Sequence, residues 1–185
     1  MKNKKYQILY CDCPWEFGTI TKLGNARNYY KTMKFVELAE LNVKQIADDN
    51  CLLFMWIVSQ KLENCIWLAR EWGFKYVNVG FVWHKPNRTL CGYYTMNQTE
   101  LCLIFKKGKI PMPRGARNVR EFLSENATRH SEKPQEVRRR IGLMFPTQDK
   151  IELFARKKVS GWDAIGFDID GKDIRESLNL IINNQ

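Results

Sequence analysis

The sequence predicts an α/β fold with a mainly parallel sheet, and three observations support this. Short apolar segments typical of buried strands alternate along the chain with segments that have helical spacing. The continuous apolar run at residues 51–58 (CLLFMWIV) indicates a central strand that is covered on both faces. A chain of 185 residues, 44% of them hydrophobic, suits one domain with a real core.

Residues 7–73 supply two strands and two helices. Residues 7–11 predict a short buried strand that ends at Asp12. Residues 35–41 place apolar side chains on one side of a short helix. After the apolar run, residues 60–72 predict an amphipathic helix, which Gly73 ends.

The rest of the chain continues the alternation of strands and helices. Strands are predicted at residues 76–83, 99–105 and 150–155, and a helix at residues 133–144 has Pro134 in its first turn. In parallel α/β sheets, ligands bind at the carboxyl ends of the strands. Functional side chains are therefore expected directly after strands.

Composition narrows the class of protein. The formal net charge of +10, from 30 Lys and Arg against 20 Asp and Glu, favours a nucleic-acid partner, although solubility alone would also explain it. The sequence shows no bilayer-spanning apolar run and no signal-peptide core, so we expect a cytoplasmic protein without a membrane partner. The six cysteines are scattered and include no Cys-x2-Cys pair, so we expect reduced thiols and no metal site. A monomer and a homodimer both remain open.

Residues 1–185 are expected to form one domain, with loops 16–34 and 106–130 on its substrate side. Residues 106–120 carry six Lys or Arg and no acidic residue, and the loop is too long to be a plain connection. Phosphate contacts are predicted for four lysines, although each also suits a solvated loop: Lys85, Lys106, Lys107 and Lys109.

The first predicted strand ends in Asp12-Cys13-Pro14-Trp15. A carboxylate and a carbonyl held rigid by proline can accept two hydrogens of an aromatic amine, and a large aromatic side chain can stack on its ring. The other interpretation is an ordinary strand-to-turn exit with Trp15 in the core. Taken alone, the four residues leave both interpretations open.

This tetrapeptide resembles the Asp-Pro-Pro-Trp signature of the MT-A family of adenine-N6 methyltransferases. Other segments resemble family motifs in the same order, over about residues 6–171: Tyr30-Lys31-Thr32-Met33, Leu53-Phe54-Met55-Trp56, His130 to Glu136, Ile151 to Arg156 and Gly161-Trp162-Asp163. Their joint occurrence is much more specific than any one of them.

The resemblance implies a Rossmann-like, S-adenosylmethionine-dependent methyltransferase fold in permuted order, with the catalytic strand first and the cofactor strand near the C-terminus. It implies methyl transfer to the N6 amino group of adenine, with DNA favoured over RNA because no separate target-recognition domain is present. RNA methylation, or an inactive RNA-binding or partner subunit of the same fold, remain the alternatives.

The resemblance also implies roles for individual residues. Catalysis is assigned to Asp12, Cys13, Pro14 and Trp15. Cofactor binding is assigned to Asp12, Lys133, Phe154, Arg156 and Asp168. The base pocket is assigned to Tyr30 and Asn97, mainly from their positions in the chain. Two residues depart from the family pattern: Cys13 replaces the first proline of the signature, and Phe167 stands where the family usually has Asn.

Overall fold

A computed structural model describes residues 4–16, 32–57, 59–87, 94–128 and 132–183. These residues form a seven-stranded sheet with helices on both faces. The strands are β1 (Tyr6–Asp12), β2 (Ala47–Ile57), β3 (Lys75–His84), β4 (Thr99–Lys107), β5 (Phe122–Ser124), β6 (Lys150–Leu153) and β7 (Asp163–Ile165). The helices are α1 (Phe35–Ala39), α2 (Val43–Ile46), α3 (Leu62–Glu71), α4 (Gln135–Met144), α5 (Phe167–Asp170) and α6 (Ile174–Asn183).

The strand order is β5-β3-β4-β2-β1-β6-β7. Strand β4 runs antiparallel to both of its neighbours, β2 and β3, whereas every other neighbouring pair is parallel. The predicted α/β fold is confirmed, and β4 is the exception to the predicted parallel direction. The amino end of β4 therefore lies at the edge of the sheet where the other strands have their carboxyl ends.

The core has two layers because successive side chains of a strand point to opposite faces. On one face, Leu9 and Leu53 belong to the apolar cluster that includes residues of α1, α2, α3 and α6. On the other face, Tyr10 and Phe54 pack in a cluster with Val137 of α4. Burial on both faces explains why β1 and β2 appear in the sequence as continuous apolar runs.

Several boundaries differ from the predictions. The first helix ends at Ala39 rather than at residue 41, and a single 3₁₀ turn (Ser59–Lys61) precedes α3. Residues 106 and 107 belong to β4, and the predicted loop that follows contains β5. Strand β7 and helices α2, α5 and α6 were not predicted. β5 and β7 are three residues long and α5 is four, too short to show a periodic pattern.

The central position of β1 defines a crevice. From β1 the chain continues to β2 on one side, and from the adjacent β6 it continues to β7 on the other side. This divergence makes the carboxyl ends of β1 and β6 the topological switch point, where ligands bind in open α/β sheets. Within the described ranges, no helix is long and apolar enough to cross a membrane.

Candidate active site

Asp12 is the last residue of β1, at the switch point. Its backbone is in register with Trp56 of β2, and the preceding Cys11 is in register with Leu153 of β6. The Nζ atom of Lys133 donates a hydrogen bond to Asp12 Oδ2 at 2.6 Å, across 121 positions of sequence. The side chain of Lys133 is 7% exposed and that of Asp12 is 28% exposed. The structure thus joins Asp12, the predicted catalytic carboxylate, to Lys133, which is predicted to bind the cofactor.

A second carboxylate completes a chain of alternating charges. Lys133 Nζ lies 3.3 Å from Glu100 Oε2, and Lys85 Nζ lies 2.6 Å from Glu100 Oε1. Each ammonium also lies near an indole ring, Lys133 at 5.7 Å from the centroid of Trp56 and Lys85 at 5.3 Å from that of Trp83. We call Asp12, Lys133, Glu100 and Lys85 the charge chain.

Burial and pairing oppose each other in the charge chain. Burial raises the pKa of Asp12 despite the opposing effect of the nearby Lys133 ammonium. Burial would raise the pKa of Glu100, but Lys133 and Lys85 together lower it. Burial would lower the pKa of Lys133, yet Asp12 and Glu100 raise it above its ordinary value. Lys133 therefore stays charged at neutral pH, and Asp12 holds its proton more tightly than an exposed aspartate does.

The three residues after Asp12 form a tight, buried turn. Pro14 O accepts a hydrogen bond from the backbone N–H of Met33 at 2.8 Å, and Cys13 O accepts one from that of Trp15 at 2.9 Å. Each carbonyl keeps a second lone pair for a further donor. Trp15 is 3% exposed, and its ring stacks on Phe35 with the centroids 5.3 Å apart. Phe35 therefore already covers one face of Trp15, and stacking of Trp15 on a base stays a prediction.

The predicted cofactor side lies where β6 and β7 end. Phe154 has a left-handed backbone with φ of 58°, which is unusual for a residue other than glycine and is typical of functional turns. Gly166 lies so close to this turn that a Cβ atom there would be 2.6 Å from Ala155 O. Arg156 and Asp168 are exposed beside this turn. The guanidinium of Arg156 also favours the ionised form of Asp12.

These groups fit the cofactor that the resemblance implies. A ligand with a carboxylate, a ribose and a purine needs a cation, an acceptor for hydroxyl groups and an apolar surface. Arg156 and Asp168 are exposed and supply two polar groups, whereas Lys133 is 7% exposed and already paired with Asp12 and Glu100. Phe167 supplies a 74%-exposed ring where the family usually has Asn. The assignment of these residues to a cofactor stays a prediction.

The predicted substrate residues are divided. Tyr30 lies outside the described residues, as does most of loop 16–34. Asn97 is partly buried in the segment before β4. Lys85 has a side chain that is only 5% exposed and binds Glu100, so this geometry does not present it to a phosphate.

The three lysines of the basic loop are not brought to Asp12. Lys106 is in register with Leu52 of β2, four positions before the Trp56 that faces Asp12. Four strand residues span about 13 Å. Lys107 Nζ donates to Ala47 O at 3.0 Å, and the backbone N–H of Lys109 donates to Asn50 Oδ1 at 2.8 Å. These lysines thus lie toward the opposite end of the sheet, and their contact with phosphates stays a prediction.

The later part of the predicted loop 106–130 lies at the edge of the sheet where β3 has its carboxyl end. Strand β5 pairs with residues 82–84 of β3, and Ala127 and Asn87 exchange two hydrogen bonds of 2.9 and 3.0 Å. The predicted loop 106–130 is therefore divided between the two ends of the sheet.

Sequence reasoning missed Glu100. A glutamate at the start of a strand is expected at the amino edge of a parallel sheet, far from the site. Because β4 is antiparallel, its first residues lie beside the carboxyl end of β2, at the same edge of the sheet as Asp12. The signal available in the sequence was a single acidic residue, Glu100, directly before the apolar stretch of residues 101–105. Among the described residues, no group of three His, Cys, Asp or Glu side chains is arranged to hold a metal ion.

Polar side chains gathered at the switch point of an open α/β sheet mark the place where such sheets bind their ligands. Comparison with known proteins is more specific. The MT-A70 family model matches residues 6–168, and the chain belongs to this family of methyltransferases.

Three relatives show the range of similarity. The chain is 44% identical to the Type II methyltransferase M.MunI of a Mycoplasma species, over 94% of this chain and 82% of that one. It is 27% identical to the N(6)-adenosine-methyltransferase MT-A70-like protein of Arabidopsis thaliana, over 90% of this chain and 24% of that one. It is 21% identical to the human N(6)-adenine-specific methyltransferase METTL4, over 90% of this chain and 38% of that one.

Proposed function

We propose that this chain transfers a methyl group from S-adenosylmethionine to the N6 amino group of adenine in DNA. The observation that carries the proposal is the 2.6 Å ion pair between Asp12 and Lys133 at the switch point. It brings the predicted acceptor for the amino group next to the predicted cofactor residue, although 121 positions separate them. The relatives named as adenosine and adenine methyltransferases support adenine as the target.

The chain's own groups would perform three tasks. An adenine amino nitrogen is a poor nucleophile because its lone pair is delocalised into the ring. Asp12 Oδ and a carbonyl of the Cys13–Pro14 pair would each accept one amino hydrogen, which aims the lone pair away from the ring plane. Lys133 keeps the charge of Asp12 balanced in its buried site and would hold the cofactor's carboxylate. Asp12 is also the nearest base for the proton that the nitrogen gives up after methylation.

When bound, S-adenosylmethionine supplies an already activated methyl group. Arg156 and Asp168 would bind its ribose end. Phe154, with its left-handed backbone, shapes the turn that leads from β6 to Arg156. Gly166 allows β7 to approach this turn. The target base must leave the duplex stack to reach Asp12, or come from a single strand.

The permuted strand order belongs to the same proposal. Two features support it. The strand with the catalytic signature, β1, comes first in the chain but is central in the sheet, and β6, with the cofactor turn, comes late but pairs with β1.

DNA is favoured by the similarity to a Type II methyltransferase over most of both chains. The plant relatives, named for adenosine, support RNA as the second candidate.

Incubation with labelled S-adenosylmethionine and four polymers tests the proposal: duplex and single-stranded DNA, and duplex and single-stranded RNA. Mass spectrometry of the digested nucleosides identifies both the polymer and the methylated atom. Asp12→Asn is the matched variant, because it keeps the shape but replaces one acceptor oxygen with a donor. It should lose at least about a hundredfold in methyl transfer, with an unchanged circular dichroism spectrum. Activity near wild type would remove Asp12 from the mechanism.

A further inference from the structure

Lys85 is a buried lysine for which the proposed reaction has no direct use. We propose that Lys85 is a positioning residue: by binding Glu100, it keeps the ammonium of Lys133 on Asp12. Lys85 would touch neither the cofactor nor the nucleic acid. This inference rests on the proposed function only in taking Asp12 as the acceptor for the amino group.

The geometry of Glu100 carries the argument. Each oxygen of its carboxylate faces a different lysine, Lys85 at 2.6 Å and Lys133 at 3.3 Å. Lys133 is closer to Asp12, at 2.6 Å. Lys85 thus has the closer contact with Glu100, and Lys133 has its closer contact with Asp12. Both lysine side chains are at most 7% exposed, so water does not replace either partner.

Removal of Lys85 changes which carboxylate Lys133 serves. Glu100 would then be a mostly buried carboxylate with Lys133 as its remaining cation in the charge chain. Glu100 would then attract Lys133 without competition from the Lys85 ammonium. The 3.3 Å separation between Lys133 Nζ and Glu100 Oε2 leaves room for a closer approach. Asp12 would lose part of its counter-charge, and protonation of Asp12 would become easier. A protonated Asp12 cannot accept the amino hydrogen through that oxygen.

The first experiment needs no activity. Asp12 is titrated by NMR of protein labelled with ¹³C at the aspartate carboxyl carbon, and Asp12→Asn identifies its signal. In Lys85→Met the midpoint of Asp12 should rise by about one pH unit, the scale for loss of one close charge. Lys85→Arg, which keeps the cation, should restore the wild-type midpoint. Lys75→Met is the matched control, since it makes the same change at the exposed other end of β3. If Lys85→Met fails to fold, Lys85→Gln is titrated in its place. An unchanged Asp12 midpoint in the folded variant overturns the proposal.

The second experiment separates positioning from phosphate binding. If Lys85 positions Lys133, the acid limb of the kcat profile moves to higher pH in Lys85→Met, while KM for the polymer and its salt dependence stay unchanged. If Lys85 binds phosphate, KM and its salt dependence change, the Asp12 midpoint does not, and the positioning role is wrong. Wild-type protein without methyl transfer on any polymer would refute the proposed function, and the NMR titration would still decide the role of Lys85.

Discussion

Replacing Lys133 with Met is expected to destabilise the protein strongly, because two carboxylates lose their shared cation. Lys133 lies 2.6 Å from Asp12 and 3.3 Å from Glu100, with its side chain 7% exposed. Removal of one partner from a buried ion pair costs about 3–5 kcal/mol, since the remaining charge stays desolvated. Glu100 keeps its contact with Lys85, so the uncompensated charge is mainly that of Asp12.

The destabilisation should depend on pH. The pKa of Asp12 is already raised by burial, and loss of the ammonium raises it further. A carboxyl group with a raised folded-state pKa stabilises the fold below its unfolded pKa, and this contribution is lost as the pH rises through the folded-state value. The pKa of Glu100 is lowered, so its contribution is present above its unfolded pKa, and the variant loses the part that Lys133 provides. Because the unfolded pKa of Glu100 lies below pH 5, the Glu100 part of the loss is nearly the same at both pH values, and the Asp12 part makes the total loss larger at pH 8 than at pH 5.

Urea unfolding at both pH values measures this difference, with linear extrapolation to water. Lys75→Met is again the matched control, because Lys75 is exposed. It should change the free energy of unfolding by less than about 0.5 kcal/mol. A loss in Lys133→Met of less than ~1 kcal/mol that is equal at both pH values would contradict a buried lysine between two carboxylates.

Three further predictions concern other parts of the molecule. Arg156→Ala should weaken S-adenosylmethionine binding by about 1.5–3 kcal/mol in calorimetry, whereas Lys158→Ala, at an exposed neighbour, should not. Equal effects would indicate that Arg156 is only a solvated member of the basic run at residues 156–158. Glu152→Ala should destabilise the fold by about 3–5 kcal/mol in urea, because the buried Arg138 donates to both of its oxygens at 2.6 and 2.5 Å; a loss below ~1 kcal/mol would refute this. If the basic segment at residues 106–120 binds phosphates, replacing Lys106, Lys107 and Lys109 with alanine should flatten the salt dependence of polymer affinity by up to roughly one log–log unit per lost contact. An identical slope in the variant and the wild type would contradict phosphate binding by these lysines.

One topological feature explains the two main differences between the predicted and observed sites. The apolar pattern predicted every strand from β1 to β4 and also β6, but a strand pattern carries no direction. The sequence therefore predicted a mainly parallel sheet without indicating which strand runs in the opposite direction. With β4 antiparallel, Glu100 at its start lies at the active edge, and Lys106 at its end lies toward the opposite edge.

Other parts of the site were predictable because they follow strands that are parallel. Asp12 directly ends β1, and Arg156 closely follows β6, so both lie at the switch point as expected. The 2.6 Å contact of Lys133 with Asp12 was not predictable, because 121 positions separate the two residues and no sequence pattern pairs their side chains. The burial of Lys85 was missed for a related reason: a lysine after a strand suggests exposure, but Glu100 and the ring of Trp83 hold it inside.

The late pairing of β1 with β6 has a consequence for synthesis of the chain on the ribosome. Strand β1 emerges well before its partner β6, which begins only at Lys150. Until then, β1 has one open edge in a strongly apolar part of the chain, which is the kind of edge that recruits other strands and aggregates. The Asp12–Lys133 contact also closes across 121 positions, so the nascent chain can form it only after Lys133 has emerged. Slow decoding after β2 would therefore prolong an aggregation-prone state without producing any early activity.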